Sequence, residues 1–121
     1  MSIEEYINRK ISSLSKSKFR GSFHLNNAMK EYVLKNGMQK IESHAYDFIN
    51  KRIKPSNPTN DGRQTQMKGH PVFIAQHACG FCCRGCIEKI HKIPRGRELT
   101  NEEVDYIVKF IKKWIEIEIN E

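Results

Sequence analysis

The strongest constraint on this chain is the crowding of cysteine and histidine into residues 70–91. All four cysteines and three of the five histidines lie within this segment. Thiolate and imidazole are ligands that zinc prefers, and a tetrahedral zinc site needs four ligands close together. The sequence therefore predicts a zinc site, and the fold must allow these side chains to meet.

Two of the cysteines have a spacing that suits a shared metal ion. Cys83 and Cys86 are separated by two residues, so both thiolates can reach one ion across a turn or the first turn of a helix. His91 lies five residues beyond Cys86 and can return to the same ion. A zinc knuckle would require a cysteine where the chain has Gly96, so the fourth ligand must come from upstream.

Several upstream residues can supply this fourth ligand, and we take His77 as the first choice. Cys82 is the second choice, followed by Cys79 and His70. Four protein ligands would form a closed structural site, whereas three ligands and a water would form a catalytic one. The predicted ligand set is His77, Cys83, Cys86 and His91.

Other chemistries for the cysteines have less support. Cys79, Cys83 and Cys86 match the triplet that binds a cluster in radical enzymes using S-adenosylmethionine, but those enzymes need a barrel far longer than 121 residues. Reduced thiols can also pack as small hydrophobic side chains. A nucleophile pair such as Cys82 with His70 has no sequence signature, and neither a deaminase nor a His-Glu-x2-His motif is present.

Length and hydropathy favour a single cytosolic domain. A chain of 121 residues can build one hydrophobic core but not two. The N-terminus has acidic residues rather than the apolar region of a signal peptide, and no apolar run approaches the ~20 residues of a membrane span. We therefore expect a cytoplasmic protein without a membrane partner, in which thiols stay reduced and clustered cysteines bind metal.

The charge is large and unevenly distributed. The net charge is +7, with +6 in residues 1–56, +4 in residues 57–98 and −3 in residues 99–121. A basic body with an acidic end favours a polyanionic partner such as nucleic acid or a phosphorylated ligand. The alternative is that these lysines and arginines are ordinary solvated residues on helix surfaces.

The apolar residues recur with helical spacing along most of the chain, and no segment shows a convincing strand pattern. We expect a mostly α, small single-domain fold with a long loop and a zinc site. Ser2 and Thr100 begin two of the helices as capping-box residues. The predicted helices begin near Ser2, Asn26, Met38, Pro71, Cys83 and Thr100, and the third runs to Ile53 with His44 at the edge of its apolar stripe.

Residues 54–70 are predicted to be a loop because they lack an apolar period and contain Pro55, Pro58 and Gly69. A structureless connection of this length is often functional, and this one leads directly into the metal-binding segment. Polar side chains in and near this loop could contact phosphate or base edges. The predicted ligand-binding residues are Arg63, Gln64, Thr65, Lys68 and Arg84, with residues 60–70, Arg95 and Arg97 forming a basic surface.

Several short motifs occur along the chain: Phe23-His24-Leu25, Asn60 to Thr65, Gly69 to Ala78, Cys82 to Cys86, His91, Ile93-Pro94 and Arg97 to Thr100. Together they resemble a bacterial family known as domain of unknown function 4186. The resemblance covers roughly residues 19–115, so residues 1–18 are expected to be a helical extension and residues 19–121 the zinc-binding domain. The family typically has another residue at the position of Cys79, which makes Cys79 a less favoured ligand. It typically has tryptophan at the position of Ile90.

Together these features predict a zinc-stabilised module that binds nucleic acid or another polyanion. The first alternative is a zinc-dependent hydrolase with an open coordination position near Cys82 or His70. The second is a thiol-redox protein that uses Cys82 or Cys83. The resemblance implies no established activity.

Overall fold

The computed structural model describes residues 1–56 and 62–121, and within these ranges the chain is helical without a strand. The helices are α1 (Ile3–Ser15), α2 (Asn27–Asn36), α3 (Met38–Phe48), α4 (Pro71–Cys79), α5 (Arg84–His91) and α6 (Asn101–Ile119). A 3₁₀ turn spans Arg20–Ser22 and a π-helical turn spans Ile49–Ile53. The predicted mostly α single domain is confirmed. Pro58, Asn60 and Asp61 of the predicted loop lie outside the described residues.

Helix α4 lies at the centre of the fold. All nine of its residues are buried, and it packs against α1, α2, α3, α6 and the 3₁₀ turn. A helix that is apolar on nearly every side is stable only when it is covered on every side. Gln76 and His77 are the polar side chains of this helix, so both need hydrogen-bond partners inside the protein.

The helix boundaries follow the capping residues of the sequence. Ser2 and Asn26 accept hydrogen bonds from backbone N–H groups in the first turns of α1 and α2. Thr100 and Glu103 form a complete capping box at the start of α6. None of the helices described in these two ranges is both long enough and apolar enough to span a membrane.

The third predicted helix is not α-helical to its end. Helix α3 stops at Phe48, and the chain continues to Ile53 as a π-helical turn in which Ile49 and Ile53 are fully buried. The wider turn keeps these two isoleucines in the core. The spacing of apolar residues in the sequence could not reveal this π-helical turn, because one such turn changes the spacing by a single residue.

Helix α1 packs on the same core as the other helices. Ile7 and Ile11 are buried, and α1 contacts both α4 and α6. Just after it, Gly21 lies so close to the carbonyl oxygen of Ser15 that a Cβ would clash with this oxygen. This close approach directs the 3₁₀ turn back towards α4.

Candidate metal centre

The sulfur atoms of Cys82, Cys83 and Cys86 form a compact cluster. The three Sγ atoms all lie within 4.8 Å of one another. Cys82 and Cys83 are buried, whereas Cys86 is partly exposed. None of the four cysteines forms a disulfide. The cluster could therefore bind a metal ion.

Two local features bring these sulfur atoms together. Gly80 ends α4 in the left-handed conformation, with φ of 79°, and this turns the chain away from the helix axis. Cys83 is the N-cap of α5, and its Sγ accepts a hydrogen bond from the backbone N–H of Cys86 at 3.4 Å. The cap fixes Cys83 beside Cys86, while Cys82 is the residue just before the cap.

The guanidinium of Arg20 bridges the cluster to α4. Its Nη1 donates to the Sγ of Cys82 at 3.5 Å and to the carbonyl oxygen of His77 at 2.6 Å. Its Nη2 donates to the Sγ of Cys86 at 3.3 Å. Burial lowers the pKa of Arg20, but its hydrogen bonds to the two cysteines outweigh this effect, and the net pKa is raised. A permanent positive charge therefore contacts two of the three sulfur atoms.

The thiol of Cys83 is protonated at neutral pH when no metal is bound. Burial is the main cause that raises its pKa to about 11. A metal ion that binds here must therefore displace at least this proton, and the affinity for metal is expected to rise with pH.

A buried polar network supports the backbone of Cys82. The hydroxyl of Thr65 donates to the carbonyl oxygen of Cys82 at 2.7 Å. The side-chain amide of Gln76 donates to the Thr65 hydroxyl and to the carbonyl oxygen of Phe81, both at 3.1 Å. These contacts connect the segment before α4 to the turn that carries the first sulfur atom.

His77 lies close to this centre, but its ring is not part of the sulfur cluster. The Nε2 atom is 3.1 Å from the carbonyl oxygen of Gln66 and 3.3 Å from that of Thr65. The ring stacks on Phe23 with a centroid distance of 5.4 Å. Burial is the main cause that lowers the pKa of His77, so the neutral ring is favoured.

His91 lies in an aromatic cluster on α5 and α6. Its Nε2 is 2.7 Å from the carbonyl oxygen of Cys79, and its Nδ1 is 3.3 Å from the hydroxyl of Tyr106. The ring stacks on Phe81 at 4.0 Å. Burial is the main cause that lowers the pKa of His91 to about 4. Both ring nitrogens therefore have neighbours other than the cluster.

His70 pairs with His44 rather than with a cysteine. The Nδ1 of His70 accepts from the backbone N–H of Val72, so its Nε2 carries the proton and donates to the Nδ1 of His44 at 3.1 Å. Phe48 and Phe73 surround the pair. Burial, with a contribution from His44, lowers the pKa of His70 to about 4.

The structure thus brings together part of the predicted ligand set. Cys83 and Cys86, with the alternate Cys82, form the cluster. His77, His91 and the alternates Cys79 and His70 lie outside it, and their coordination of the metal stays a prediction. Cys79 is buried within α4, where burial raises its pKa well above the usual value for a thiol.

The predicted ligand-binding residues divide into two groups. Arg63 and Lys68 are exposed, whereas Gln64 and Thr65 are buried. Arg84 is also buried, and its guanidinium donates to backbone carbonyl oxygens. These acceptors belong to Ile53, Lys54, Pro55 and Pro94. Binding of a polyanion by this set stays a prediction.

Arg20 and the pairing of His44 with His70 are the features that the sequence analysis missed. Arg20 is 62 residues from Cys82 in the chain, and no local motif marks it as a partner of the cysteines. His44 lies at the edge of the α3 stripe, where its neighbour His70 could be identified only from the packing of α3 against α4.

The comparison with known families identifies the chain at the family level. A family model described as Domain of unknown function (DUF4186) matches residues 8–116. The matched range begins within α1 and includes Arg20 and all four cysteines. No solved structure matches the chain. The protein is therefore a member of the DUF4186 family.

Proposed function

We propose that this protein binds one zinc ion through Cys82, Cys83 and Cys86, and that the ion has a structural role. The observation that carries this proposal is the approach of three sulfur atoms to within 4.8 Å of one another. Three sulfur atoms that each lie about 2.3 Å from a tetrahedral zinc ion are separated by roughly 3.8 Å. No sulfur–sulfur distance therefore has to shorten by more than about 1 Å to fit the ion.

Charge balance favours a divalent ion. Three thiolates and a divalent ion carry a net charge of about −1, and the guanidinium of Arg20 compensates this charge at close range. A monovalent ion would leave an excess negative charge, whereas a trivalent ion would leave Arg20 beside a neutral centre. Among divalent ions, zinc combines a preference for thiolate with tetrahedral geometry.

The position of the cluster supports a structural role. An ion bound by Cys82, Cys83 and Cys86 would hold the turn before α5 against the first turn of that helix, beside Arg20 of the 3₁₀ turn. Helix α5 has only eight residues, which is too short to be stable alone.

Zinc content of the purified protein tests this proposal. Protein prepared without added metal is expected to contain one zinc per chain, and Cys83→Ser and Cys86→Ser are each expected to lose it. Cys79→Ala is the control, because Cys79 is a buried cysteine outside the cluster. Its zinc content should remain that of the unmodified protein.

Two results would contradict the proposal. One is an unchanged zinc content in both Cys83→Ser and Cys86→Ser, since the ion would then have other ligands. The other is unmodified protein that contains no zinc, does not take it up and forms a disulfide between cluster cysteines under mild oxidant. That result would favour the thiol-redox alternative.

A further inference from the structure

We infer that His77 is the fourth ligand of the zinc ion, through its Nδ1 atom, and that it closes the site against solvent. This inference rests on the proposed function, because it assigns the fourth coordination position of the zinc ion, which the three cysteines do not occupy. Within the described residues, no carboxylate, imidazole or further thiol has a ligand atom within 4.8 Å of all three sulfur atoms. The fourth ligand is therefore a solvent molecule or a side chain that small movements of the site bring within reach.

The tautomer of His77 suits coordination through Nδ1. Its Nε2 faces two carbonyl oxygens, those of Gln66 and Thr65, so this nitrogen must carry a proton. In the neutral ring the lone pair is then on Nδ1. Histidine ligands of zinc almost always donate their other ring N–H to a carboxylate, a backbone carbonyl or water, and this contact fixes the orientation of the ring.

Arg20 places the backbone of His77 beside the cluster. The Nη1 atom lies 2.6 Å from the carbonyl oxygen of His77 and 3.5 Å from the Sγ of Cys82. Because the two distances share one nitrogen, the carbonyl oxygen and the sulfur are at most 6.1 Å apart. A change of side-chain torsion in Cys82 or Cys86 would move its sulfur atom, while the ring of His77 keeps its contacts with the two carbonyl oxygens.

An imidazole ligand also agrees with the charge of the site. A neutral fourth ligand leaves the net charge at about −1, which Arg20 alone compensates. A fourth thiolate or a hydroxide would add a further negative charge. His91 is the other nearby histidine, but both of its ring nitrogens contact other groups, the carbonyl oxygen of Cys79 and the hydroxyl of Tyr106.

Cadmium NMR on the unmodified chain tests the inference without a substitution. Protein with ¹⁵N-labelled histidine is loaded with ¹¹³Cd, which takes the same ligands as zinc and has nuclear spin one half. One histidine Nδ1 is expected to show a splitting from cadmium, and this signal is expected to disappear in His77→Ala. In His91→Gln, the matched control, the splitting should persist.

A second measurement uses the cobalt-substituted protein and chemical rescue. His77→Ala is expected to lose more than about 100-fold in zinc affinity, since loss of outer contacts alone already costs about 10–100-fold. Its cobalt absorption bands are expected to shift, and added imidazole is expected to return them to those of the unmodified protein. Imidazole restores the missing ligand but does not repair a misfolded chain.

The outcomes separate this inference from the proposed function. Bound cadmium without any histidine splitting, or cobalt bands that do not change in His77→Ala, would overturn the role of His77 and leave the cysteine site intact. A splitting that disappears in His91→Gln instead would assign the ligand to His91. A protein that binds neither cadmium nor cobalt would overturn the proposed function itself.

Discussion

Arg20 and Arg84 show how the surroundings of a side chain decide what an arginine does. The guanidinium of Arg20 faces two sulfur atoms and one carbonyl oxygen, whereas the guanidinium of Arg84 faces four backbone carbonyl oxygens. Arg84 directly follows Cys83, so its position in the motif suggested a ligand contact. Its contacts connect the end of the π-helical turn to Pro94, which gives it a structural role, and a contact with a ligand stays a prediction.

Replacing Arg20 should weaken metal binding. In Arg20→Gln the cluster loses a positive charge and two charge-assisted hydrogen bonds to sulfur, so we expect zinc affinity to fall by about 10–100-fold. Competition with a chromophoric chelator measures this change. Arg9→Gln is the control, because Arg9 is exposed on α1. Equal affinities for the two variants would show that Arg20 does not act on the metal.

Replacing Arg84 should destabilise the fold. In Arg84→Met the carbonyl oxygens of Ile53, Lys54, Pro55 and Pro94 lose a charged donor, and we expect a loss of about 2–4 kcal/mol in the free energy of unfolding. Urea denaturation of the zinc-loaded protein provides the measurement, with the exposed Arg63→Met as control. A loss below that of Arg63→Met would refute the structural role.

Acid should reduce stability through two half-buried histidines, His70 and His91. The pKa values of His70 and His91 are lowered to about 4, so the unfolded chain takes up protons at higher pH than the folded chain does. Stability is therefore expected to be complete above the ordinary histidine pKa of about 6.5 and to be lost progressively as the pH falls towards 4.

The urea midpoint between pH 7 and pH 4 measures this dependence. In the double variant His70→Asn, His91→Gln, the part of the pH dependence of stability that these histidines cause should disappear. Any part due to acid release of the metal should remain. Asparagine retains a side-chain acceptor for the N–H of Val72, which His70 caps. An unchanged dependence of the urea midpoint on pH would show that neither histidine contributes to the loss of stability in acid.

At the scale of the elements, the local signals of the sequence predicted most of the helices. Asn26 and Thr100 cap α2 and α6, while Gly37 and Gly80 end α2 and α4. Caps can be predicted because their energetics depend on a few neighbouring residues. The end of α3 was predicted less well, because the π-helical turn after Phe48 depends on packing against the core.

The short helix α5 should depend on the metal more than any other helix. It has eight residues and is capped by Cys83, whereas α6 has nineteen residues and a complete capping box. We expect chelation of zinc to speed hydrogen exchange at the amides of α5 far more than at those of α6. Equal acceleration in both helices would indicate loss of the whole fold rather than of a local support.

At the scale of the whole molecule, the fold brings Arg20, the end of α4 and the start of α5 to one place. The sequence could predict the cysteines of the site, because Cys82, Cys83 and Cys86 are close in the chain. It could not predict Arg20, nor the carbonyl and aromatic neighbours of His77 and His91. These contacts join distant segments, such as Phe23 with His77 and Tyr106 with His91, and only the packing of the helices determines them.

X-ray absorption at the zinc edge tests the central claim most directly. The fine structure of the purified protein is expected to show three sulfur neighbours at about 2.3 Å and one nitrogen neighbour at about 2.0–2.1 Å. This result would agree with Cys82, Cys83, Cys86 and His77 as the ligand set. A first shell of oxygen and nitrogen without sulfur, or a protein that binds no zinc, would contradict the account.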